Sequence, residues 1–187
     1  SAPYCESFIR VLFENLSSET LNRSVKPPIL SCFGDIAIAI GGAFEPYLSG
    51  TMTVLGQASQ MTTPDDTDYE MLDYINSLRE GIAEAYVGIV SGLRADNRVD
   101  LLTPHIESIL QFVKLVHDSP YERSESLLRG AIGLLGDLAS AFPNKELQVP
   151  LSQSWVPELV KQARAKGNGA ETRKIAAWAR EQITRAI

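Results

Sequence analysis

The sequence is poor in cysteine and aromatic residues, and it lacks β-strand patterning and recognisable catalytic motifs. Each shortage excludes a class of protein. Cys5 and Cys32 are the only cysteines in 187 residues, and two isolated thiols build neither a disulfide framework nor a zinc site. Both lie in apolar helical surroundings, so they are read as reduced core residues, which fits a compartment such as cytosol or nucleus. No apolar run approaches the roughly 20 residues that span a bilayer, and no secretory leader opens the chain. The expectation is a soluble intracellular protein without a membrane partner. Its opening, SAPYCESFIRVLF, already lies inside an amphipathic helix, which suggests a piece of a longer protein.

Catalytic signatures are missing too. There is no Gly-x-Ser-x-Gly elbow, phosphate loop or dinucleotide fingerprint. His105 and His117 stand apart, without a Cys or Glu at metal spacing, and the Glu-x-x-His pair of di-iron bundles is absent. No enzyme activity, metal or cofactor is expected. Period-two runs bounded by turns are also absent, so no strand is predicted.

Basic residues are scarce in one place. Residues 65–84 hold seven acids (Asp65, Asp66, Asp68, Glu70, Asp73, Glu80, Glu84) against Arg79, a local charge of −6 that equals the net charge of the whole chain. The concentration points to a cationic partner and away from nucleic-acid phosphate. The segment belongs to a long helical pattern, Asp65–Leu93, with an apolar stripe of Leu72, Ile75, Leu78, Ile82, Tyr86, Ile89 and Leu93. Asp66, Glu70, Asp73, Ser77, Glu80 and Glu84 form a second stripe at helical spacing, where like charges repel. Asp66 or Thr67 is the expected N-cap.

The remaining pattern is helical as well. Helices are expected over 3–16, with Phe8, Val11, Leu12 and Leu16 inward, over 25–40 and over 43–61. Further helices are expected over 104–116, with Pro104 in first position, and over 122–142, 153–166 and 170–186. Phe33-Gly34-Asp35-Ile36-Ala37 matches Leu135-Gly136-Asp137-Leu138-Ala139, and Ala85-Tyr86-Val87-Gly88-Ile89 is a degenerate third copy. The spacings between these glycines are close to the roughly 40–47 residues of HEAT and armadillo units. The fold class is therefore all-α: an α-solenoid of about four HEAT repeats, antiparallel helix pairs in a right-handed superhelical stack. It is treated as one segment over 1–187, with repeats at 1–42, 43–95, 99–142 and 147–187.

SVKPPILSCFGDIAIAIGGAFEPYL, DYEMLDYINSLREGIAEAYVGIVSGL and KIAAWAREQI, in that order, closely resemble the C-terminal HEAT repeats of the importin-β (karyopherin-β) nuclear import receptors. The resemblance covers essentially the whole chain. It implies a segment of a receptor found in cytoplasm, nucleus and nuclear pore, whose concave helices wrap the basic helix of the adaptor importin-α. The concave helices would be 25–40, 67–93, 122–142 and 170–186. Asp66, Glu70, Asp73, Glu80 and Glu84 would then face the basic helix, and Trp178 matches a family tryptophan that contacts it. Guanidinium groups pair with carboxylates, and an indole face holds a cation.

The same resemblance implies Phe-Gly nucleoporin binding in grooves around helices 3–16 and 43–61, with Tyr47 and Met52 as candidate lining. It also implies that Ran-GTP engages the full-length receptor mostly through repeats absent here. Each site has a plainer reading. The acidic stripe is equally a solvated face, Trp178 a core residue, and Asp35 and Asp137 inter-repeat hydrogen-bond acceptors rather than partner-binding groups. The basic cluster near the C-terminus reads as a solvated cap. The alternative function is a HEAT scaffold in a multiprotein assembly such as a phosphatase.

Overall fold

A computed structural model of the chain describes residues 2–18, 20–65, 67–120 and 123–187. Among them every regular element is helical. Two compact units form, Ser1–Asn97 and Arg98–Ile187.

The first unit holds α1 (Ala2–Ser17), α2 (Lys26–Ile40), α3 (Glu45–Ser59) and α4 (Tyr69–Ala95), with 3₁₀ turns at Arg23–Val25 and Gly41–Phe44. Pro27 and Pro28 sit in the first turn of α2, where a missing N–H costs little. Gly41 ends that helix at φ 57°, in the left-handed region that side chains avoid. Next to it, the Gly42 N–H donates to Asp96 Oδ2 at 2.6 Å, so the end of α4 holds the α2–α3 turn.

The core of this unit is the α2–α4 seam. A Cβ on Gly81 would stand 2.5 Å from the Pro27 carbonyl oxygen, one on Gly88 2.4 Å from Gly34 Cα, and one on Gly92 2.1 Å from the Ala37 oxygen. Residues 81, 88 and 92 recur at helical spacing, so one face of α4 is stripped of side chains and the two backbones touch. Gly34 and Gly88, matched above as repeat copies, are direct neighbours across this seam. Phe33, Ala37, Leu55, Ile82, Ala85, Ile89 and Leu93 fill the space on either side, each fully buried.

Several expectations change here. On α1 it is Ile9 and Leu12 that are buried, while Phe8 and Val11 are 51% and 48% exposed. Phe13 packs against Phe33 with ring centroids 5.1 Å apart, which turns the Ile9–Leu12–Phe13 flank inward. Cys5 and Cys32 are free and half-buried rather than core. The N-cap of α4 is Asp68, whose Oδ1 accepts from the Met71 N–H at 3.0 Å. Thr67 cannot serve, because its N–H and hydroxyl both donate to Asp65 Oδ1 in the preceding turn, and Asp66 lies outside the described residues. The stretch Arg23–Ser59, contrary to the sequence expectation, is long and apolar enough by length and composition to cross a membrane. Its large side chains Leu30, Phe33, Phe44, Leu48 and Leu55 are nonetheless buried within the unit.

The second unit holds α5 (Ile106–Asp118), α6 (Glu125–Ala141), the single turn α7 (Gln148–Leu151), α8 (Trp155–Ala163) and α9 (Ala170–Ala186). Pro104 lies inside a 3₁₀ segment, Val99–His105, rather than opening α5. The helix expected over 153–166 is shorter, because the Asn168 side-chain amide donates to the Gln162 and Ala163 carbonyls and closes α8. Helix α6 starts at the Ser124 cap, whose hydroxyl accepts from the Leu127 N–H. One oxygen of Glu125 accepts from the Gly169 N–H at 2.8 Å and from the Thr172 hydroxyl at 2.7 Å, so α6 caps α9 from outside. These hydrogen bonds hold the Glu125 carboxyl below the usual glutamate range.

Candidate functional site

The acidic stripe of α4 lies along an open cleft of about 690 Å³ within the first unit. One wall is the start of α2 and the turn before it, with Arg23, Pro27, Pro28 and Ser31; the other is α4, with Glu70, Tyr74, Ser77, Glu80 and Glu84. The two walls meet at Gly81, where α4 touches the Pro27 carbonyl. Backbone contact at the floor leaves the longer side chains of both helices to stand up around it.

Glu70 and Glu84 are exposed and Glu80 is half-buried. Asp73, also exposed, falls on the outer flank of the same stripe, beyond the cleft lining. The Glu84 carboxyl is pushed above the usual glutamate range, first by partial burial, then by the charges of Glu80 and Asp35. Asp35 belongs to α2, so the fold draws acids from two helices into one field. Glu70 occupies the first turn of α4, where a carboxylate also complements the helix dipole.

Two features of the cleft were not read from the sequence. Arg23 places its guanidinium 5.9 Å from the Tyr74 ring centroid, so the cleft carries a resident cation. Burial raises the Tyr74 hydroxyl pKa, against a smaller lowering by Arg23. The spacing of Glu70 and Tyr74, one helical turn apart, was the available signal for Tyr74; nothing local announces Arg23, which is distant in sequence. Arg79, the one base inside the acidic segment, is buried at 2% exposure.

The second unit holds the other expected residues. Trp178 on α9 is 36% exposed. One edge of its ring covers Gly136 of α6, where a Cβ would meet Trp178 Cζ3 at 2.4 Å, and the rest borders a shallow surface formed with Ala170, Glu171, Lys174 and Ile175. It is therefore half anchored and half presented. Asp137 is half-buried and engaged by a neighbouring group. Asp35, its sequence counterpart, is exposed. Trp155 packs as expected, at 7% exposure, with its indole N–H donating to Gln153 Oε1.

Tyr47 and Met52, the expected nucleoporin lining, both lie on α3. Met52 is 5% exposed and belongs to the core. Tyr47 is half-buried, its ring 6.0 Å from that of Phe44. Met52 sits next to Thr51, which is fully buried, on the inward face of α3. Among the described residues no group of three His, Cys, Asp or Glu side chains is placed to hold a metal ion.

The sequence profile of the family described as "Importin subunit beta-1-like, TPR repeats" matches residues 1–164. The chain belongs to the importin subunit beta-1-like family. Importin subunit beta-1 of Schizosaccharomyces pombe is 46% identical over 183 residues, covering 98% of this chain and 21% of its own. Importin beta crystallised in an ammonium sulfate condition superposes with a TM-score of 0.92 at 45% identity, covering 99% of this chain and 21% of that one. A Kap95:Nup1 complex matches with a TM-score of 0.88 at 36% identity, over 99% of this chain and 21% of that one. The all-α helical-repeat fold is thus that of importin-beta solenoids, and the chain spans about a fifth of the length of the relatives it matches.

Proposed function

We propose that this chain is a segment of a nuclear import receptor, working between cytoplasm, nucleus and nuclear pore, and that its acidic cleft holds a basic helical segment such as that of the adaptor importin-α. The reading rests on one observation: Glu70, Glu80 and Glu84 of α4 line one open cleft, where the Glu84 carboxyl is raised first by partial burial and then by the charges of Glu80 and of Asp35 on α2. A carboxylate held away from its charged state by burial and by like charges is relieved when a guanidinium arrives. Single exposed pairs contribute only about 0–1 kcal/mol. Several acting together raise the encounter rate and select a cationic ligand.

The repeats at 1–42, 43–95, 99–142 and 147–187 are proposed as the structural units of this segment. Trp178 is proposed as a second contact, with its exposed part receiving an Arg or Lys stem. Nup1 is bound by the related Kap95. For this chain, nucleoporin binding is proposed only as a property of the whole receptor.

The test is an Arg-rich helical peptide titrated against the chain and against its D35K/E80K/E84K variant. Affinity should fall by about tenfold or more at low salt, since each lost pair becomes a like-charge contact. Equal affinity with unchanged circular dichroism would refute the proposal. Arg23→Ala supplies the opposite sign: removing the resident cation should tighten binding a few-fold.

A further inference from the structure

A second groove, of opposite character, lies between α8 and α9 at the far end of the second unit, with a volume of about 710 Å³. That is within the roughly 300–1,000 Å³ of ligand pockets. Its floor is aliphatic: Leu151, Val156, Val160 and Ile183 line it from just below the surface, and Ile187 stands 37% exposed at its edge. Its rim is cationic. Lys161 and Arg164 come from the end of α8, Lys166 from the turn that follows, and Arg180 from α9 on the opposite wall, all of them exposed.

Those charges are not balanced locally. Among the described residues none of the four takes part in an ion pair, and the nearby acids are committed elsewhere. Glu158 Oε2 lies 3.2 Å from His117 Nε2. Glu181 pairs with Arg185 one turn along α9. Glu171, in the first turn of α9, belongs to the surface beside Trp178. Interaction with a helix C-terminus accounts for Lys161 and Arg164, but Arg180 sits in the middle of α9, where no free carbonyls call for a cation.

We infer that this groove docks an acidic amphipathic helical segment of a partner protein, with apolar side chains on the aliphatic floor and carboxylates on Lys161, Arg164, Lys166 and Arg180. Charge complementarity selects the occupant. Nucleic acid would satisfy the rim but waste the floor, and the lining holds no aromatic ring on which a base could stack. A helix laid in a groove through residues at i, i+3, i+4 and i+7 meets both demands. The ligand is opposite in sign to that of the acidic cleft, so the two sites fail independently.

The probe is a fluorescent synthetic peptide of about five helical turns, built of Leu and Glu with leucines on one stripe. Its partner is a peptide of the same composition with the stripe broken. The 187-residue chain should bind the first at least about tenfold more tightly than the second. Backbone amide shifts should centre on Val160 and Ile183. K161E/R164E/R180E should lose at least about tenfold in affinity while keeping helicity and its affinity for the Arg-rich peptide. If that variant does not fold, K161Q/R180Q and the shift map decide. Equal binding of both peptides, or tighter binding of a dT oligonucleotide or of phosphatidylserine vesicles, would overturn the inference. So would shifts centred outside the groove, or self-association of the chain that the peptide displaces, which would make a second copy the occupant.

Discussion

Glu84 carries more of the chemistry than its place in a row of acids suggests. Its raised pKa comes from burial, Glu80 and Asp35, in that order. For an acid, a raised folded-state pKa costs stability at neutral pH and returns it as pH falls through the raised value. A bound guanidinium reverses the shift, so binding of a basic helix should release protons. Affinity should rise with pH from the ordinary glutamate range of about 4.3 and level off above the raised value. Glu84→Gln should flatten that profile, as titration calorimetry in two buffers of different ionisation enthalpy would reveal. Trp178 is the other informative residue. Trp178→Ala should cost less than the roughly 3–5 kcal/mol of a buried aromatic, because only one ring edge lies on Gly136. It should still weaken the basic peptide; unaltered binding with a large drop in Tm would return Trp178 to a purely packing role. Neither the half-anchored ring nor the Asp35–Glu84 field could be read locally, since each joins residues from two helices.

At the scale of elements, α4 is decided by what it lacks. Its apolar stripe and its acidic stripe were both legible from spacing, and Ile75, Ile82, Tyr86, Ile89 and Leu93 are buried as that spacing requires. Gly81, Gly88 and Gly92 form a third line whose meaning depends on α2, because only the neighbouring backbone shows why a side chain is excluded. Gly88→Ala should destabilise by about 1–3 kcal/mol through overpacking against Gly34, measured by urea unfolding. Gly56→Ala, with open space around it, is the control and should be stabilising or neutral. Helix ends were the least legible feature. The expected cap was Asp66 or Thr67, but Thr67 donates to Asp65 and Asp68 accepts from Met71, so the choice fell to hydrogen bonds among neighbouring polar side chains. Pro104 permits a helix start but equally suits the 3₁₀ turn that precedes one.

For the whole molecule, charge is divided by sign between two surfaces. The acids of α4 and Asp35 gather in the first unit, and unpaired cations ring an apolar groove in the second. Salt should therefore act on the two ligands differently. Affinity for the Arg-rich peptide, resting mainly on charge, should fall steeply between low and physiological ionic strength, where the Debye length shrinks to about 8 Å. Affinity for the Leu/Glu peptide should fall less, since part of its binding is apolar burial that salt does not screen. Parallel titrations of both peptides across one salt series measure this; identical slopes would remove the distinction between the sites.

Helical class, the acidic segment and the family likeness were all determined by the sequence, because periodicity, charge and motif order are properties of residues along one chain. Tertiary structure alone decided which acids share a field, that Arg23 enters their cleft, that Met52 belongs to the core, and that the terminal cations border a groove. Those outcomes depend on which helix faces which. In the first unit that is set by backbone contact at Gly34, Gly81, Gly88 and Gly92, a relation between distant segments that local spacing does not encode.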